Sequence, residues 1–159
     1  MNGAAWGGSE QLWHHAAIFA RQQGYSVGVI CYHWPEKLEK LEALKMNGIQ
    51  VWEIPGANRK QLSPLRKLWF DLFTKPKQSK WVKSFDYKAF DAAVVSQGGS
   101  SEVCHGPWKR LWQNMPPYLL LFQSYSEQFD QSETKKGFLL QWMRHAKQNL
   151  FVTARIAEV

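Results

Sequence analysis

The chain has 159 residues, 20 Lys and Arg against 13 Asp and Glu, 45% apolar side chains, nine Trp and two Cys. That length suits one domain whose core hides roughly 70% of the surface an unfolded chain exposes, and the apolar share excludes wholesale disorder. No apolar run reaches the roughly 20 residues of a membrane span, Met1 opens no basic and hydrophobic leader, and two cysteines make neither a disulfide framework nor a zinc set, so a cytoplasmic, reduced protein is expected.

Ser9 is placed to cap a first helix, with Glu10 at the favourable end of its dipole, Leu12, Ala16, Phe19 and Ala20 on one face, and Gly24 as its stop. The run from Tyr25 to Tyr32 is rich in β-branched and aromatic residues and reads as a buried strand. Pro35 opens a second helix in which Leu38, Leu41 and Leu44 keep helical spacing, and Gly48 ends it. Ile49 to Ile54 is a second strand, closed by Pro55 and Gly56.

A third helix is expected near residues 62 to 74, with Leu65, Leu68, Trp69, Leu72 and Phe73 on one face and Pro76 as its terminator. Three more strands follow at Phe90 to Ser96, Tyr118 to Gln123 and Leu150 to Thr153, separated by helical stretches near 100 to 113 and 133 to 148. The last residues, Ala154 to Val159, begin a further helix. Repeated alternation of strand and helix, with crossovers long enough for parallel pairing, predicts a single α/β domain over 1–159. Its fold is expected to be a Rossmann-like, doubly wound parallel sheet with helices on both faces.

In such sheets ligands bind beyond the carboxyl ends of the strands, which directs attention to the loops there. Three loops share small and hydroxylated residues: Gly7 to Glu10, Gly98 to Glu102 and Ser124 to Glu127. Glycine lets backbone N–H groups approach a ligand, and a helix start offers unpaired donors, which suits diphosphates and sugar hydroxyls. The same loops also serve simply to leave a strand and cap a helix, with Glu102 and Glu127 as first-turn acids. None has the Lys-Ser/Thr of a phosphate-binding P-loop or the glycine spacing of a dinucleotide fold, so nucleotide hydrolysis and nicotinamide chemistry are disfavoured.

The segments Trp6 to Trp13, Ala17 to Val27, Phe90 to Gln97, Pro117 to Gln123 and Asn149 to Thr153, in this order and spacing, resemble the amino-terminal half of GT-B glycosyltransferases of family 4, group 1. The resemblance implies the acceptor-side half of a retaining enzyme that transfers a sugar from a nucleotide diphosphate donor to a glycan or lipid-linked acceptor. It implies no essential metal or cofactor. Met1 stands too close to Gly7 for the family's first strand, and its donor domain has no counterpart in the sequence, so a fragment inactive on its own is expected. A non-catalytic module binding a glycan or membrane surface is the alternative.

By this resemblance Gly7 and Gly8 belong to the donor-diphosphate loop, and Trp6, Gln97, Gly98, Gly99, Ser100 and Gln123 line the acceptor cleft. Gln123 falls where many members carry His, in a strand end that reads Phe122-Gln123-Ser124. An amide is no general base, so its expected role is hydrogen bonding to a sugar hydroxyl. No catalytic residue is identified.

Other chemistry is weakly signalled. Adjacent His14 and His15 point about 100° apart on a helix and share no metal, while His105 and His145 have no partners at ligand spacing. Cys104 beside His105 reads as a loop coincidence rather than a nucleophile pair. Among the tryptophans, Trp6, Trp13, Trp34 and Trp108 fall near loop mouths, whereas Trp52 and Trp69 are expected in the core.

Charge is concentrated. Between Arg59 and Lys88 lie nine basic and two acidic residues, which accounts for the entire net charge of +7. One reading is an ordinary solvated face. A sharper one is peripheral contact with an anionic membrane through Arg66, Lys67, Trp69, Phe73, Lys75 and Lys77. So local a charge does not suit a nucleic-acid binder, although Lys75, Lys77, Lys80 and Trp81 would be its contact.

Overall fold

A computed structural model describes residues 8–33, 37–54, 63–97, 102–104, 106–123 and 133–151. The chain divides into two compact units, Met1–Gln78 and Ser79–Val159.

In the first unit, α1 (Gly8–Gln22) leads to β1 (Gly28–Tyr32), and α2 (Leu38–Met46) leads to β2 (Gln50–Ile54). The two strands pair in parallel, Gly28 opposite Gln50 and Tyr32 opposite Ile54. Both helices end in the same device. Gly24 and Gly48 have φ of 91° and 73°, a left-handed conformation that other residues adopt only with strain. Gly24 N–H bonds the Arg21 carbonyl while Tyr25 N–H reaches back to Ala20, and Gly48 and Ile49 repeat this with Lys45 and Leu44. Each is a Schellman closure that satisfies the last helical carbonyls and turns the chain into the next strand. Ile49 then packs with Leu41 and Leu44 in a core that Trp13, Ala17, Ile18, Val27, Val29, Cys31 and Val51 complete.

The face of α1 differs from expectation. Leu12 and Phe19 are exposed, while Glu10 and His14 are buried. The inward stripe runs 10, 13, 14, 17 and 18, one step round from the expected set, because Trp13, Ala17 and Ile18 fit the core while His14 donates from Nε2 to the Lys40 carbonyl at 3.2 Å.

Beyond Ser63, α3 (Pro64–Trp69) passes into a π-helical turn (Phe70–Thr74) and then α4 (Lys75–Ser84). Pro76 therefore does not end the helix. In regular α geometry its ring would strike the Leu72 carbonyl. The wider turn ahead of it, in which Lys75 N–H bonds the Phe70 carbonyl five residues back, removes that conflict and lets the helix continue. Trp69 is exposed rather than part of the core.

In the second unit β3 (Ala93–Gln97), β4 (Tyr118–Phe122) and β5 (Gln148–Phe151) form a parallel sheet in sequential order, with α5 (Glu133–His145) between β4 and β5. Central β4 is apolar throughout, with Tyr118, Leu120 and Phe122 buried, as a parallel strand covered on both faces requires. The strand expected from Phe90 starts later because Asp86 accepts the Lys88 N–H and folds Tyr87–Ala89 into a 3-10 turn. Residues 102–104 and 106–114 are 3-10 rather than α-helical. The described residues are thus α/β, with parallel strands in a two-stranded and a three-stranded sheet. No helix among the described residues is long and apolar enough to cross a membrane.

Candidate functional site

The carboxyl edge of the three-stranded sheet carries two glutamines at neighbouring strand ends. Gln97 closes β3 and is 1% exposed; Gln123 directly follows β4. Their backbones are joined, Gln123 N–H donating to the Gln97 carbonyl at 3.1 Å. The Gln97 side chain accepts the Val103 N–H on Oε1 at 3.1 Å, which ties the 3-10 turn of residues 102–104 back to the end of β3.

The rest of these amides is unused. Gln97 Nε2 and both Gln123 Nε2 and Oε1 are buried without a hydrogen-bond partner. An orphaned buried polar group costs about 1–3 kcal/mol, so three on two adjoining strand ends form a costly local arrangement. Together they offer donors at both residues and an acceptor at one, the complement of a hydroxyl that both gives and takes a hydrogen bond.

The other end of β4 is handled differently. Burial pushes the Tyr118 hydroxyl up to about 12, so it stays protonated and donates to the Trp142 carbonyl at 2.6 Å. Trp142 in turn donates from Nε1 to the Trp108 carbonyl at 3.1 Å. Trp108 is thereby a scaffold contact for α5. Trp112 stacks on His145 at 3.9 Å, and its buried Nε1, like Asn149 Oδ1, lacks a partner. These orphans are single atoms without an adjoining second amide at a strand end.

Cys104 is buried beside the Gln97 turn, and burial raises its thiol above the usual range, which disfavours the nucleophilic thiolate. Lys109 lies over the Phe138 ring at 5.4 Å, which holds the 3-10 segment against α5.

The first unit contributes a pair that sequence reasoning missed. His33, immediately after β1, donates from Nδ1 to Glu53 Oε2 of β2 at 2.7 Å, and Lys45 Nζ stands 3.8 Å from the other carboxylate oxygen. A carboxylate holding Nδ1–H fixes the orientation of the imidazole ring at the end of β1. The only signal in the sequence was the position of His33 at a strand end, since Glu53 lies 20 residues away. In the same sheet, burial followed by the Glu53 charge pushes the Cys31 thiol up to about 11.

Of the other expected site residues, Gly8 begins α1, and Trp6, Gly7, Gly98, Gly99 and Ser100 lie outside the described residues, as do Trp34, His105 and Glu127. Arg66, Lys67, Trp69, Phe73, Lys75 and Lys77 share the helical run from Pro64 onward. His14 and His15 touch edge to edge, and among the described residues no three His, Cys, Asp or Glu side chains form a group able to hold a metal ion. No model of a known protein family matches the chain, and no curated protein is similar to it.

Proposed function

We propose that the chain is the acceptor-side half of a retaining glycosyltransferase of the GT-B kind, and that the carboxyl edge of β3 and β4 holds hydroxyl groups of the sugar acceptor. The observation that carries the reading is the pair of strand-end glutamines, whose three buried amide atoms lack partners at the sheet edge where α/β proteins bind ligands. The order and spacing of the Trp6, Phe90 and Pro117 segments support the choice of family.

In this role Gln97 is held by Val103 N–H on its oxygen, which aims its amide nitrogen as a fixed donor. Gln123 offers a donor and an acceptor to a second hydroxyl. Neither amide abstracts a proton, so the half supplies orientation: it sets the acceptor oxygen against the anomeric carbon, while the nucleotide diphosphate donor is held by a second half.

Saturation-transfer NMR of the chain with methyl glucoside, methyl mannoside and methyl galactoside tests the acceptor role. At least one glycoside should receive saturation, and the transfer should be lost in Q97A/Q123A. Equal transfer to wild type and the double variant would remove the basis of the proposal, as would the absence of transfer to all three. Mixed with uridine or guanosine diphosphate sugars and an acceptor, the chain alone should give no steady turnover.

A further inference from the structure

The helical run from Pro64 to Lys77 carries an apolar face whose side chains are exposed among the described residues. Leu65, Leu68, Trp69, Leu72 and Phe73 are between 51% and 77% exposed. Their positions fall at i, i+3, i+4, i+7 and i+8, the stripe a helix ordinarily packs against a core. Here the Trp69 and Phe73 rings touch each other, with centroids 4.6 Å apart, and both still face solvent. Four basic residues, Arg66, Lys67, Lys75 and Lys77, accompany the stripe against one acid, Asp71.

We propose that this helix docks on an anionic lipid bilayer, lying in the plane of the interface. Trp69, Phe73 and the leucines would enter the boundary between headgroups and acyl chains, while the Lys and Arg side chains reach up to phosphate and carboxylate headgroups. Charge complementarity selects the occupant. The surplus of cations repels a second copy of the same face and attracts an anionic surface. The apolar stripe distinguishes that surface from nucleic acid, whose backbone would engage the cations and leave five large apolar side chains in water. Indole favours the bilayer interface, and long basic side chains extend past an inserted apolar face to reach headgroups. The inference is independent of the sugar-binding reading, since it uses none of the residues at the β3–β4 edge.

The test is flotation of the full chain with vesicles of equal parts phosphatidylcholine and phosphatidylserine, and with phosphatidylcholine alone. The chain should float with the mixed vesicles and far less with the neutral ones. W69S/F73S should weaken partitioning by at least about tenfold, the loss expected from two aromatic side chains. K75Q/K77Q should weaken it by about 25-fold on the anionic vesicles, at roughly fivefold per charge. Because the four side chains are exposed or carried by exposed helix, circular dichroism and melting should match wild type. As a measurement that needs no disruptive variant, brominated phospholipid should quench tryptophan emission more strongly in wild type than in W69F.

Three results would overturn the proposal. One is equal flotation of wild type and W69S/F73S together with equal quenching in W69F. Another is failure of the wild type to float with anionic vesicles, whether or not it binds homopolymeric RNA. The third is a dimer in sedimentation without lipid that W69S/F73S dissociates, which would assign the face to a second copy.

Discussion

The carbonyl of Gln97 accepts the backbone N–H of Gln123 at 3.1 Å, so the β3–β4 ladder runs out between two glutamines whose side chains the fold uses unequally. Gln97 Oε1 holds the Val103 N–H, whereas neither amide atom of Gln123 has a partner. Leucine should therefore act in opposite directions at the two positions. Q123L removes two orphaned polar atoms and should stabilise the chain by about 1 kcal/mol, while Q97L strands the Val103 N–H and should destabilise it by about 1–3 kcal/mol. Urea unfolding of the two variants checks the signs. Stabilisation by Q123L combined with loss of sugar binding would mark the residue as retained for a ligand.

Buried His14 makes stability depend on pH. Burial, the largest cause, lowers its pKa below 6.5, against the raising effect of its bond to the Lys40 carbonyl. With the folded value below the unfolded one, the unfolded chain takes up the proton first on acidification. The contribution of His14 is therefore complete above pH 6.5, is lost as the pH falls from 6.5 to the folded value, and is constant below it. Thermal melts of wild type and H14Q across this range should show a slope in the former that is shallower in the latter.

Three Gly to Ala substitutions should separate backbone strain from helix propensity. G24A and G48A force a side chain into left-handed backbone and should each destabilise by about 1 kcal/mol or more. Gly48 should be the worse site, because a methyl there would stand 3.3 Å from Arg21 Nε, whereas at Gly24 nothing lies within 4 Å. Gly137, inside α5 with nothing within 4 Å of an added methyl, should behave oppositely, G137A stabilising by about 0.5–1 kcal/mol. Chemical denaturation of the three variants reads all of these.

Neither cysteine should react readily in the folded chain. The Cys31 thiol is pushed up to about 11 and Cys104 is raised by burial, so the thiolate is scarce at both near neutral pH. Iodoacetamide at neutral pH should label both only in denaturant, as mass spectrometry of the intact chain would show.

The sequence made the parallel strands and the two glycine stops legible, because β-branched runs and left-handed glycines depend on local chemistry. Gln97 and Gln123 were reached through the family resemblance, which puts both at the acceptor cleft. Packing was less legible. The inward face of α1 sets Trp13, Ala17 and Ile18 against the Leu41 and Leu44 core, and His14 is buried there on the Lys40 carbonyl while Phe19 stays exposed. Pro76 was misread because a π turn can absorb the proline that a regular helix rejects. The stripe on α3 has the spacing of a buried face, and no periodicity tells whether a core or another surface covers it. The His33 and Glu53 pair is created only by the register of β1 against β2, which composition does not encode.

In the proposed function the carboxyl edge of β3 and β4 receives a sugar through the two glutamine amides. Side-chain amide signals of the nitrogen-labelled chain, assigned with Q97A and Q123A and followed during titration with methyl glycosides, test it most directly. The Gln97 and Gln123 NH2 resonances should move together and saturate with the same glycoside. Resonances that stay fixed while the glycoside shifts signals elsewhere in the chain, or that no glycoside moves, would contradict it.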